Sequence, residues 1–160
     1  MIFLIIIKLL RGWHKMNKKL IVLIVILIML GIGFVIANQS NQVNVDGVNF
    51  KVPDSYKAID RKTSVNLTNG SDSIIILKNT SNDINNTVKQ YIKSKEKQNS
   101  TVKSSKLNVD DVDVYEVNVN KTITHYWFEK NNKVFEIYTW STNPNTILVV
   151  NDLIKSATSF

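Results

Sequence analysis

TITHYWFEKNNKVFEIYTWS, residues 122–141, is two runs of β-branched and aromatic residues joined at Asn131-Asn132. A two-residue asparagine turn between such runs predicts an antiparallel hairpin. If the two asparagines make the whole turn, residues equidistant from it stand opposite each other. Phe128 then faces Phe135 and Tyr126 faces Ile137 on one side of the ribbon. Trp127 faces Glu136, His125 faces Tyr138 and Ile123 faces Trp140 on the other.

Working outward, residues 112–119 (VDVYEVNV) have the same strand composition. Upstream, Val48 to Val52 alternates and meets Pro53, which predicts a short strand closing at a turn. Residues 64–67 read as a weak strand, and Asn69-Gly70 signals a hairpin turn before residues 73–77, SIIIL. That last run reads as a strand buried on both faces. The period then changes. Ile84, Val88, Tyr91 and Ile92 fall on one helical face, Ser81, Asn82 and Asp83 offer N-caps, and lysines gather toward Lys97. A second helix is predicted after Asn143-Pro144, with Ile147, Val150, Ile154 and Ala157 as its apolar stripe. One helix after three strands and another after three more predict an α+β domain with a mostly antiparallel sheet flanked by two helices.

The hairpin's second face supplies the candidate site. Trp127, Trp140, Tyr138, His125 and Glu136 would form an aromatic surface with one acid and one imidazole, fit to stack on a sugar or hold a small ligand. If the second helix covers that face, the same aromatics are core. His125 is the only histidine beyond residue 19. Spacing gives it no nucleophile and no metal co-ligands, so a cross-strand contact with Tyr138 is its expected role. Asp110, Asp111 and Asp113 lack the register of a calcium loop and predict a turn with a solvated strand edge. Lys89, Lys93, Lys95, Lys97, Lys103 and Lys106, against Glu96 alone, read as a solvated basic face that near a membrane would meet anionic head groups or wall polymers. No phosphate-binding glycine loop, HExxH or nucleophile elbow occurs in the sequence. No cofactor, metal or catalytic residue is therefore expected.

Several motifs resemble PsbP-like domains across about residues 46–160. Phe50-Lys-Val-Pro53 followed by Tyr56 is similar to that family's opening, with Ser55 where the family usually has glycine. The Tyr126-Trp-Phe and Val134-Phe-Glu-Ile strands and the ending Leu153-Ile-Lys-Ser156, Ser159-Phe160 are similar too. The resemblance implies an exported, non-enzymatic accessory protein with an antiparallel sheet flanked by helices. It carries over no functional residue.

Ahead of this domain stands LIVLIVILIMLGIGFVIA, residues 20–37, with no charge and no side-chain amide from Leu20 to Ala37. Roughly 20 residues at about 1.5 Å rise cross a hydrocarbon core, so the run predicts a transmembrane helix or uncleaved signal anchor in contact with the lipid bilayer. Residues 1–19 carry Lys8, Arg11, Lys15, Lys18 and Lys19 and no acid, which places them in the cytoplasm and the rest outside. Two alternatives stay open. A leader beginning at Met16 and cut after Ala37 would release the protein, and Met16 is itself an alternative start. Residues 38–45 read as a linker to the domain at residues 46–160.

The chain has 20 basic and 13 acidic residues and a formal charge of +7. Five basic residues precede the apolar run, leaving 15 against 13 beyond it, or +2. The basic balance is therefore mainly a topology signal, and nucleic acid is not an expected partner. The chain has no cysteine, which excludes disulfides, thiol catalysis and a lipid-modified cysteine. Asn-x-Ser/Thr triplets begin at Asn38, Asn66, Asn69, Asn79, Asn85, Asn99 and Asn120, about twice the number expected by chance. They are candidate N-glycosylation acceptors on an exported surface.

Together these readings predict a single-pass cell-membrane protein, N-terminus in the cytoplasm. Its extracellular domain would bind or support a surface protein or envelope polymer without catalysis. A secreted envelope glycoprotein and an enzyme acting on an extracellular polymer are the alternatives.

Overall fold

The computed structural model describes residues 41–78 and 81–158. The expected transmembrane run at residues 20–37, its basic flank, Asn38, Asn79 and the closing Ser159-Phe160 lie outside the described residues. Among the described residues no helix is long and apolar enough to cross a membrane.

The folded unit begins at Asn41 and is α+β. Its strands are β1 (Gln42–Val45), β2 (Val48–Lys51), β3 (Lys57–Asp60), β4 (Ser64–Thr68), β5 (Ser73–Leu77), β6 (Val102–Val109), β7 (Val112–Val119), β8 (Ile123–Lys130) and β9 (Lys133–Thr139). Helix α1 (Ile84–Lys97) follows β5, and α2 (Pro144–Thr158) follows β9. β1 and β2 form a separate hairpin. The other seven strands form one sheet in the order β3-β4-β5-β9-β8-β7-β6. Every strand pair is antiparallel.

Turn chemistry sets the registers. Asn131 and Asn132 both have positive φ (53° and 57°), so Lys130 pairs with Lys133 and His125 with Tyr138, as the two-residue turn predicts. Asp110-Asp111 and Asp46-Gly47 make the same kind of turn at the β6–β7 and β1–β2 junctions. The hairpin signalled by Asn69-Gly70 forms, through a longer turn. Thr68 pairs with Ser73, so four residues connect β4 to β5, and the Asn69 Oδ1 accepts the backbone N–H of Ser71 and of Asp72. Asn69 acts here as a turn-former through its side chain rather than through a left-handed backbone. The linker expectation at residues 38–45 also shifts, because β1 begins at Gln42.

Both helices are capped as their sequences require. The Asp83 carboxylate accepts the Asn86 N–H at 3.0 Å and opens α1. At its far end Asn99 takes φ 58°, with Asn99 N–H to Glu96 and Ser100 N–H to Lys95, a left-handed stop that asparagine tolerates. The Asn143 side chain accepts the Asn145 N–H ahead of α2.

The larger core lies between the sheet and a layer made of α2 and the β1–β2 hairpin. Phe50 packs edge-on against Phe128 and Phe135 at 6.3 and 5.8 Å, and Val150, Leu153, Ile154 and Ala157 close the cluster. Ser156 ties α2 to β2 by accepting the Lys51 N–H at 2.9 Å. A smaller core, Val88, Val117, Val119, Trp127 and Val134, lies under α1 on the opposite face.

Candidate functional site

The five residues expected to share a face do share it, but under different cover. Trp127 is fully buried and His125 is 6% exposed; Glu136 and Tyr138 are half-buried; Trp140 is 54% exposed, just beyond the end of β9. The covering element is α1, not α2. Tyr91 of α1 stands 4.9 Å from the Trp127 ring and 4.6 Å from the His125 ring. The expectation that the second helix covers this face is thus corrected, since α2 occupies the other side of the sheet.

A hydrogen-bonded chain runs through the buried part. Tyr91 Oη lies 2.5 Å from His125 Nε2, and His125 Nδ1 lies 2.6 Å from Glu136 Oε1. An ionised carboxylate only accepts, so Nδ1 carries a proton toward Glu136, and in the neutral ring Nε2 accepts from the Tyr91 hydroxyl. His125 also stacks between Trp127 at 5.3 Å and Tyr138 at 5.1 Å. Burial, reinforced by the Glu136 charge, pushes the Tyr91 hydroxyl up to about 12. Burial and Glu136 raise Tyr138 as well. The Trp127 Nε1 is buried without a hydrogen-bond partner. Tyr91 belongs to the helix stripe in the sequence; only the three-dimensional pairing makes it the partner of His125.

The cover stops partway across the sheet. α1 packs on β6, β7 and β8, while the same face of β3, β4, β5 and β9 carries Ile59 (45% exposed), Asn66, Ile75, Leu77 and Tyr138. Row by row, His125 pairs with Tyr138, Tyr138 with Ile75, Ile75 with Asn66 and Asn66 with Ile59. One continuous band therefore runs from the buried imidazole to the open edge.

Two concavities flank this band. A groove of about 640 Å³ lies between α1 and the β6–β7 edge, with Val88, Ile92 and Tyr115 inside and Lys89, Lys93 and Lys106 around it. Here the lysine run divides between α1 and β6, a strand that polar composition hides. Lys106 is ion-paired with Asp113 at 2.7 Å, which raises the lysine and lowers the carboxyl. Asp110 instead meets Lys155 of α2 at 3.4 Å, so the three aspartates of this turn answer to different sides of the sheet. Among the described residues no group of three or more His, Cys, Asp or Glu is placed to hold a metal.

The second concavity, a cleft of about 470 Å³ at the end of the sheet, is lined by Ser71, Asp72, Trp140, Ser141, Thr142 and Asn143, with Ser73 beneath. Hydrogen bonds from Ser141 and then Thr146 hold the Asp72 carboxyl below its usual range. Of these residues the sequence pointed only to Trp140. The others come together because β4–β5 and β9–α2 end side by side.

The candidate glycosylation acceptors also separate. Asn69, Asn85, Asn99 and Asn120 are exposed, whereas Asn66 is half-buried on the sheet with its Oδ1 accepting from Ser73 Oγ at 2.7 Å. Compared with known families and with curated proteins, the chain matches no family model and no individual protein.

Proposed function

We propose that the chain is a single-pass, membrane-anchored protein whose PsbP-like domain stands outside the cytoplasm as a non-catalytic binding or accessory module. The apolar run at residues 20–37 and the basic residues before it support the anchor and its direction. A sheet with α1 on one face and α2 on the other supports the PsbP-like reading.

The observation that carries the binding role is the unequal cover of the sheet. A half-face bearing Ile59, Ile75, Tyr138 and Trp140 is left partly open, where a monomer would gain by burying it. The imidazole nearest that face is an anchor rather than a base. Both ring nitrogens of His125 are engaged, by Tyr91 and Glu136, beneath a helix.

Protease shaving of intact cells, with peptide mass spectrometry of the membrane pellet and the medium, tests the arrangement. Peptides from residues 41–160 are expected to be shaved, with an N-terminus at Met1 or Met16 in the pellet. An N-terminus at Asn38 in the medium would replace the anchored protein with a released one. Domain peptides protected inside intact cells would sink the extracytoplasmic reading.

A further inference from the structure

The cleft beside Trp140 combines a large exposed indole with a lining made otherwise of hydroxyls, one carboxylate and one amide. We propose that this cleft is a saccharide site, taking one neutral hexose or N-acetylhexosamine unit of a polymer, with Trp140 as the stacking plate and Asp72, Ser141, Thr142 and Asn143 as its polar partners. This deepens, and rests on, the reading that the domain stands outside the membrane, where such polymers occur.

A pyranose ring has an apolar face of C–H groups and a rim of hydroxyls that both donate and accept. It therefore asks for a flat apolar plate beside clustered donors and acceptors. Trp140 is the plate. Its ring is held edge-to-face by Tyr138 at 5.2 Å, yet 54% of the residue remains open. The rim groups supply both kinds of partner: hydroxyls and an amide that donate and accept, and a carboxylate that accepts at about four positions. Ser141, Thr146 and Asn69 engage that carboxylate without filling it.

The lining is also built in advance. Thr146, 1% exposed, donates to Asp72 Oδ2 at 2.8 Å, and its Oγ1 lies 3.1 Å from Ser141 Oγ. The Ser141 N–H donates to Thr139 Oγ1 at 3.0 Å, and the buried Thr139 donates to the Ser73 carbonyl at 2.8 Å. Loops fixed in this way lose little freedom when a ligand arrives. The volume, about 470 Å³, falls within the ~300–1,000 Å³ usual for small-molecule sites.

Other ligand classes fit less well. No Lys, Arg or His lines the cleft, so an anion would face the Asp72 carboxylate without compensation. An acyl chain would desolvate hydroxyls and an amide without giving them partners. Beyond Trp140 the open band through Tyr138 and Ile75 leaves room for the polymer to continue.

The test uses the full chain in lipid nanodiscs, which avoids sugar-headed detergents. Isothermal titration is run with neutral hexasaccharides of glucose, mannose and N-acetylglucosamine. At least one should bind with a Kd between about 10 µM and 1 mM. Trp140→Ala should weaken it by at least about tenfold, Trp140→Phe should fall between, and Asp152→Ala, on the exposed side of α2, should leave it unchanged. Circular dichroism of each variant checks that the domain stays folded. Silence with all three sugars, or equal binding by Trp140→Ala, overturns the site. So does binding of a choline ester or a sulfated oligosaccharide in their place. If the domain is still shaved from intact cells when sugar binding fails, the site falls and the surface role stands. If the domain is protected inside cells, the surface role falls whatever the titration reads.

Discussion

Tyr91, His125 and Glu136 are brought together by a helix laid across two strands, and their bonds make a buried polar chain that is fully paired at the imidazole. Removing one end should be expensive. Tyr91→Phe leaves His125 Nε2 without its partner under α1 and should cost about 1–3 kcal/mol of unfolding free energy, read from urea denaturation at pH 7. The same hydroxyl gives the fold an alkaline limit. In the unfolded chain a tyrosine ionises near its ordinary value of 10.0; in the fold Tyr91 holds its proton to about 12. Between those values the unfolded chain sheds the proton first, so stability is full below pH 10 and declines as pH rises toward 12. Tyr138 and Tyr126 are raised by burial too and act in the same direction. Urea midpoints at pH 9, 10 and 11 should fall steadily, and Tyr91→Phe should flatten that fall. An unchanged slope in the variant would remove Tyr91 from the cause.

Among the elements, α1 and α2 carry similar stripes but very different holdings. α2 places Val150, Leu153, Ile154 and Ala157 in the larger core, whereas α1 has one fully buried residue, Val88, and rests largely on partly buried Ile84, Tyr91 and Ile92. In hydrogen exchange, α1 amides should therefore open before those of β8 and β9, and Asp83→Ala, which removes the N-cap, should widen the gap by about 1 kcal/mol. Simultaneous exchange of α1 and the central strands would show the domain opening as one unit.

The same contrast explains what the sequence could tell. The β8–β9 register was legible to the residue because a two-asparagine turn leaves one pairing, and α1 was legible from Ile84, Val88, Tyr91 and Ile92. Which helix covers which face was not, because a stripe says that a helix is half-buried and nothing of the side it lies on. β3 (KAID) and β6 (VKSSKLNV) went unseen because edge strands exposed to water lose the alternation that marks a strand. The Asp46-Gly47 turn of the first hairpin was the available signal for β1. Of the cleft, only Trp140 could be named, since Asp72 and Asn143 are joined by topology across a separation that no local motif spans.

At the scale of the molecule, the sheet has two unpaired margins, β3 and β6. β6 runs eight residues, long enough to template another strand, and it presents Lys103 and Lys106 to water. Two copies meeting β6 to β6 would bring charged lysines to the new seam on both faces of the strand, Lys103 on one and Lys106 on the other. Replacing both with valine should produce more concentration-dependent association in sedimentation velocity than the parent chain shows; no gain in association would show that charge is not what holds the margin open. A sheet of this kind is the first layer of a ribbon that could lengthen by one molecule at a time. If the domain is held at a bilayer as proposed, neighbours would collide in a plane and at a shared height, the geometry in which such ribbons nucleate most readily. The lysines on β6 would then act as a chain terminator, keeping identical domains from polymerising edge to edge.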